Sequence, residues 1–105
     1  MTIIFEKFSL EELFVTGSTN DKVYKKLPNN IVRQYIKTVN YLRSARRVED
    51  LFAIKSLHYE RKKGVLNKME AVWINYQYRL LFQSRPNDEN ILNIVSIKEI
   101  SKHYE

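Results

Sequence analysis

The spacing of apolar residues changes period near Ala53, and that change decides most of what this chain can fold into. Between residues 28 and 44 the apolar positions Val32, Tyr35, Ile36, Val39 and Leu42 recur at intervals of three and four, the repeat of one face of an α-helix. Pro28 suits the first turn of that helix, where a missing N–H costs nothing. Arg33, Lys37, Arg43 and Arg47 fall on the other side and make a partly continuous basic edge. After Ala53 β-branched and aromatic residues take over, and alternation with period two replaces the helical period. This predicts strands over residues 55–62, 68–76, 78–83 and 91–100, separated by turns at 63–67, 75–77 and 85–89. Connections this short favour consecutive antiparallel hairpins over parallel crossovers.

The first third of the chain adds smaller pieces. Thr2-Ile3-Ile4-Phe5 is a short strand-like run that can pair at a sheet edge or centre. Ser9 stands in capping position before a short helix over 9–14, with Glu12 three residues later. Gly17 and the Ser18-Thr19-Asn20-Asp21 cluster end it. Residues 48–52 add one further helical turn. The sum is an α+β two-layer domain spanning 1–105, with an N-terminal strand and two to three helices packed on one face of a mainly antiparallel sheet of four to five strands. No internal repeat, low-complexity tract or domain boundary interrupts it.

The 105 residues suffice for one core: area scaling gives roughly 6,000 Å² of folded surface against about 18,000 Å² unfolded. No apolar run approaches the ~18 residues of a membrane span. The opening seven residues lack the basic and apolar regions of a secretory signal, so the expectation is a cytoplasmic protein with no membrane partner. There is no cysteine, which removes thiol nucleophiles and thiolate metal sites.

The net charge of +6 is unevenly placed. From Lys22 to Lys63 there are twelve Lys and Arg against three Asp and Glu, so this stretch carries +9 and the remainder −3. A segregated positive field attracts polyanions, and nucleic acid or an acidic protein is the natural partner. The plain alternative is a solvated helix face that keeps the protein soluble.

Two histidines far apart, without carboxylates spaced to join them, give no metal-ligand pattern, and no cofactor is expected. Gly17 and Gly64 stand alone, so there is no Gly-rich phosphate loop, and no nucleophile elbow is present. What remains is cationic: His58, Arg61, Lys62, Lys63, Arg79 and the tail Lys102-His103-Tyr104. RNA supplies its own nucleophile, the 2′-OH. A metal-free nuclease must therefore only align it, remove its proton, neutralise the phosphate and protonate the leaving 5′-oxygen. Each residue also has a structural reading. Histidines near chain ends are commonly solvent-exposed, Arg79 can pair with Glu70 across a hairpin, and Trp73, Tyr76 and Tyr78 can be packing residues.

The order of these pieces resembles the RelE/ParE toxin superfamily, and within it the HigB, or plasmid-maintenance killer, branch. The resemblance rests on Ser56-Leu57-His58-Tyr59-Glu60-Arg61-Lys62-Lys63-Gly64, on residues 71–82, on the tail from Glu99, and on Leu13-Phe14-Val15-Thr16-Gly17, which matches the family's "L-F-x-T-G". Its most specific piece is the run Gln77-Tyr78-Arg79-Leu80-Leu81-Phe82, corresponding to "W-R-[IL]-x-F".

The resemblance implies a two-layer RelE-like fold and a ribosome-dependent, metal-independent mRNA endonuclease of a type II toxin–antitoxin system. Its partners would be the ribosome, mRNA and a HigA-like helix-turn-helix antitoxin, with operator DNA reached only through the antitoxin. The family's "L-H-P-L-K-G" maps onto Leu57-His58 and Lys63-Gly64 with two extra residues between, so His58 and Lys63 take catalytic roles, Lys62 competing for the lysine's. Arg79 takes phosphate neutralisation. The tail departs from the family's "D-Y-H": Ser101-Lys102-His103 keeps the histidine, and Tyr104 can stand in for the lost tyrosine. Docking on ribosomal RNA would use Arg33, Lys37, Arg43, Arg46 and Arg47 with Arg61 and Lys62. The rival readings are a ParE-like gyrase inhibitor, an inactive antitoxin-binding homologue, or a plain nucleic-acid-binding domain.

Overall fold

A computed structural model describes residues 1–62, 68–86 and 93–102. Strand β1 (Thr2–Phe5) leads into α1 (Phe8–Thr16), and α2 (Asn29–Ser44) follows. Two 3₁₀ helices, Val48–Ala53 and Lys55–Leu57, connect α2 to β2 (Glu60–Arg61), β3 (Glu70–Trp73), β4 (Tyr78–Pro86) and β5 (Asn93–Lys102). The five strands form one sheet in the order β1-β5-β4-β3-β2. The four later strands pair antiparallel, as their short connections require, and β1 joins the edge parallel to β5, with Thr2 opposite Ile94 and Phe5 opposite Ile97.

The amphipathic helix forms as its spacing predicts. Val32, Tyr35, Val39 and Leu42 are buried, while Arg33, Lys37 and Arg43 are exposed. They share one core with Leu10 and Leu13 of α1, Leu51 and Leu57 of the 3₁₀ segments, and Leu80, Phe82, Val95 and Ile97 of the sheet. The Tyr35 hydroxyl donates to the Leu10 carbonyl at 2.7 Å and ties the two helices together inside that core. Burial pushes the Tyr35 phenol well above its ordinary value. Gly17 ends α1 at φ 81°, the left-handed conformation that favours glycine, and its N–H donates to the Leu13 carbonyl at 2.9 Å.

Along β5 the buried residues are Val95, Ile97 and Ile100, a step of two and then of three. A bulge makes this possible. Leu81 faces Glu99 while its neighbour Phe82 faces Ile97, so Lys98 is the extra residue, and the bulge returns Ile100 to the core face.

Four local expectations are corrected. Ser9 is not a cap: α1 begins at Phe8 after Lys7 and has no side-chain cap. The strand expected over 55–62 is reduced to Glu60–Arg61, because residues 55–57 wind into a 3₁₀ turn that buries Leu57 and His58 adopts φ 46°, ψ 50°. Packing of Leu57 overrides the alternation there. The strand expected over 68–76 is confined to 70–73, since the Asn75 side chain accepts from the N–H groups of Gln77 and Tyr78 at 2.8 Å each and makes a turn. The next strand runs on to Pro86, where a proline is tolerated because the strand ends. The expected turn at 63–67 and most of that at 85–89 lie outside the described residues.

Candidate active site

The turn made by Asn75 brings β3 and β4 together in a register that sets Trp73 opposite Arg79. Their neighbours Val72 and Leu80 are also opposite and wholly buried, so alternation turns Trp73 and Arg79 to the face away from the core. The guanidinium carbon lies 4.2 Å from the Trp73 ring centre, a cation–π contact. Arg79 Nη1 donates to the carbonyls of Asn75 at 2.8 Å, Tyr76 at 3.1 Å and Tyr78 at 3.3 Å, which holds the side chain over its own turn. Partial burial lowers the Arg79 pKa from the ordinary arginine value and the charge of Glu60 raises it in part; an arginine so placed stays a cation.

His58 reaches the same indole from β2's side of the sheet, with ring centres 3.7 Å apart and planes inclined by 23°. Two planar groups this close to one ring centre overlap if they share a face, so His58 and Arg79 occupy opposite faces of Trp73. The left-handed backbone at His58 aims the imidazole there. Its N–H closes the preceding 3₁₀ turn on the Lys55 carbonyl at 3.1 Å, and the side chain stays exposed. This conformation costs a non-glycine residue about 1 kcal/mol or more and is held by its surroundings. Lys62 forms an ion pair with Glu60, whose charge reaches Arg79.

The remaining site residues divide. On α2, Lys37 lines a cavity of about 180 Å³ with Trp73, Tyr41 and Leu57, and Arg33 lies one turn earlier on the same face. Arg43 is rotated away and packs over Phe14 of α1 at 5.9 Å. Arg46 and Arg47 lie in the connection after α2, where their N–H groups donate to the Asp50 carboxylate at 3.0 and 3.1 Å. The basic edge is thus interrupted after Lys37. Arg61 is exposed on β2. Lys63, His103 and Tyr104 lie outside the described residues; Ser101, two residues before His103, is opposite Arg79.

Arg79 does not pair with Glu70. That carboxylate is opposite Phe82, on the core face, and is 2% exposed. It accepts from the Tyr59 hydroxyl at 2.5 Å and from the Ser84 N–H and hydroxyl at 2.7 to 2.8 Å. Burial, with the hydrogen bond to Glu70, drives the Tyr59 phenol well above its usual value. Sequence reading missed this group, whose only sign was a carboxylate in a strand where alternation called for an apolar residue. Among the described residues no three His, Asp or Glu side chains come together as a metal-ligand set.

The fold is shared with a YoeB/ParE toxin from Agrobacterium tumefaciens, to which the chain is similar with a TM-score of 0.55 over 99% of this chain and 100% of that one. The two are 11% identical, so the likeness speaks for the fold. No curated protein matches the chain in sequence. The family model for the HigB-like toxin, described as the RelE-like toxin of type II toxin–antitoxin system HigB, matches residues 5–97, which include both α-helices, β2 to β4, His58, Trp73 and Arg79. By that match the chain belongs to the HigB-like family of RelE-like toxins, which act in type II toxin–antitoxin systems.

Proposed function

We propose that this toxin is an endoribonuclease that cleaves mRNA on the ribosome with its own side chains and no metal, and that a HigA-like helix-turn-helix antitoxin neutralises it. The observation that carries this reading is the pairing of His58 and Arg79 across Trp73: a proton-transfer group and a fixed cation share one exposed face.

In the proposed reaction a base removes the proton of the 2′-OH. The O2′–P bond forms as the P–O5′ bond breaks, and the departing 5′-oxygen takes a proton. The products are a 2′,3′-cyclic phosphate and a 5′-OH. Arg79 neutralises the charge that builds on the phosphoryl oxygens, and its three carbonyl contacts set it in place before the reaction starts. His58 and His103 are the groups that move protons, with Tyr104 beside the second. Lys62 or Lys63 adds positive charge, and Arg33 and Lys37 hold ribosomal RNA. The toxin works in the cytoplasm, where its message and ribosomes are.

Primer extension on a reporter mRNA in a purified translation system, with and without ribosomes, tests the reading. Cleavage is expected only with ribosomes and should fall at least a hundredfold in Arg79→Ala. An intact message with translation unaffected overturns it and favours a toxin of the same fold acting on another target, such as DNA gyrase.

A further inference from the structure

Three open hollows on the β2 side of the sheet share walls. The first, of about 550 Å³, begins at His58 and is lined by Phe52, Lys55 and Tyr59. The second, of about 280 Å³, keeps Phe52 and Tyr59 and adds Arg61, Ser84 and Arg85. The third, of about 400 Å³, keeps Arg61, Ser84 and Arg85 and adds Lys68. Because each passes residues to the next, they make one trough leading away from the proposed catalytic cluster.

The chemistry of the trough is specific. Lys55, Arg61, Lys68 and Arg85 line it, and none of them forms an ion pair among the described residues. The Glu70 carboxylate at its floor already accepts from Tyr59 and Ser84, and Glu49 is the other acid on its walls. Phe52 is 57% exposed and sits 5.0 Å from the Tyr59 ring, so an apolar ring stands open beside the cations. Cations that follow a groove past an exposed aromatic platform match a single-stranded nucleic acid, whose phosphates repeat and whose unpaired bases stack. A duplex offers no free base to Phe52, and an acidic peptide has no need of the ring.

We propose that this trough holds the single-stranded RNA flanking the scissile phosphate, with a base stacked on Phe52 and successive phosphates at Lys55, Arg61, Arg85 and Lys68. The assignment rests on the endoribonuclease reading for what lies at its His58 end.

Fluorescence anisotropy of a labelled ten-nucleotide single-stranded RNA, titrated with the purified full chain without ribosomes, tests it. Phe52→Ala is expected to weaken binding roughly tenfold, while Phe52→Trp keeps it. Arg61→Ala with Arg85→Ala should weaken binding at least tenfold and flatten the plot of log K against log salt by about 1.4, the contribution of two single-strand phosphate contacts. The matching double lysine variant should keep that slope. Circular dichroism melts identify any variant that fails to fold, and the conservative variants then carry the comparison. Wild-type affinity in both alanine variants, or equal affinity for duplex RNA of the same sequence, overturns the proposal. Absence of ribosome-dependent cleavage alongside trough-dependent RNA binding would instead fail the catalytic reading and leave the trough standing.

Discussion

His58 and Arg79 lie against opposite faces of the Trp73 indole, the imidazole centred 3.7 Å from it and the guanidinium carbon 4.2 Å. The indole therefore sets the spacing between the two groups, and neither can move toward the other without displacing it.

Replacing Trp73 separates this spacing from the groups themselves. Trp73→Ala is expected to lower ribosome-dependent cleavage about a hundredfold, the scale of a misplacement near 1 Å, while Trp73→Phe retains most of it. The primer-extension assay reads both. Equal activity in the two variants would show that the indole does not position the site.

The backbone at His58 gives a stability prediction. Its φ of 46° is strained for any residue with a β-carbon, so His58→Gly is expected to be about 1 kcal/mol more stable than His58→Ala, although both lose the stack on Trp73. Urea unfolding compares them, and an alanine variant as stable as the glycine one would show that no strain is stored there.

Glu70 holds β3, β4 and the Tyr59 segment together through one buried carboxylate. Glu70→Gln is expected to destabilise the protein by about 2 kcal/mol, since an amide cannot accept all of those bonds with both of its ends. Ser84→Ala alone removes only the hydroxyl's share. In a double-mutant cycle the two should be less than additive, and strict additivity in urea midpoints would mean that the contacts contribute independently.

Tyr35 provides a pH dependence with a definite sign. Burial raises its folded pKa above the unfolded value of about 10, so the neutral phenol stabilises the fold. That stability is fully present below pH 10 and is lost as pH climbs from there toward the folded pKa. Tyr35→Phe should be about 1 kcal/mol less stable at pH 8, through loss of the bond to Leu10, and its deficit should shrink as pH rises above about 10. Parallel stability curves would show that Tyr35 does not titrate on unfolding.

Much of the fold is legible because it follows from periods. The apolar repeat of α2 and the alternation of β4 each report a burial pattern directly, and Gly17 marks a backbone only glycine adopts freely. What was not legible depends on contacts between distant residues. Lys55 to Lys62 alternates like a strand, but Leu57 enters a core built by α2 and the sheet, and the chain turns at His58 to allow it. The site divides in the same way. His58 and Arg79 stand out as chemistry in a linear reading, whereas Trp73 reads as packing until the register places it between them. The Glu70 group and the trough past Phe52 arise from residues that no local spacing connects.

The parallel edge of the sheet has a consequence for the birth of the molecule. Thr2 to Phe5 are made well before the strand they pair with, residues 93–102, which also joins them to β4. A nascent chain has α1 and α2 long before it has a sheet, and β1 waits unpaired until β5 leaves the ribosome. Closing so long a loop is the slow kind of step that contact order penalises. The fold that sets His58 and Arg79 around Trp73 therefore matures only when synthesis has passed residue 102, and until then the helices are present without the closed sheet that a toxin of this fold needs.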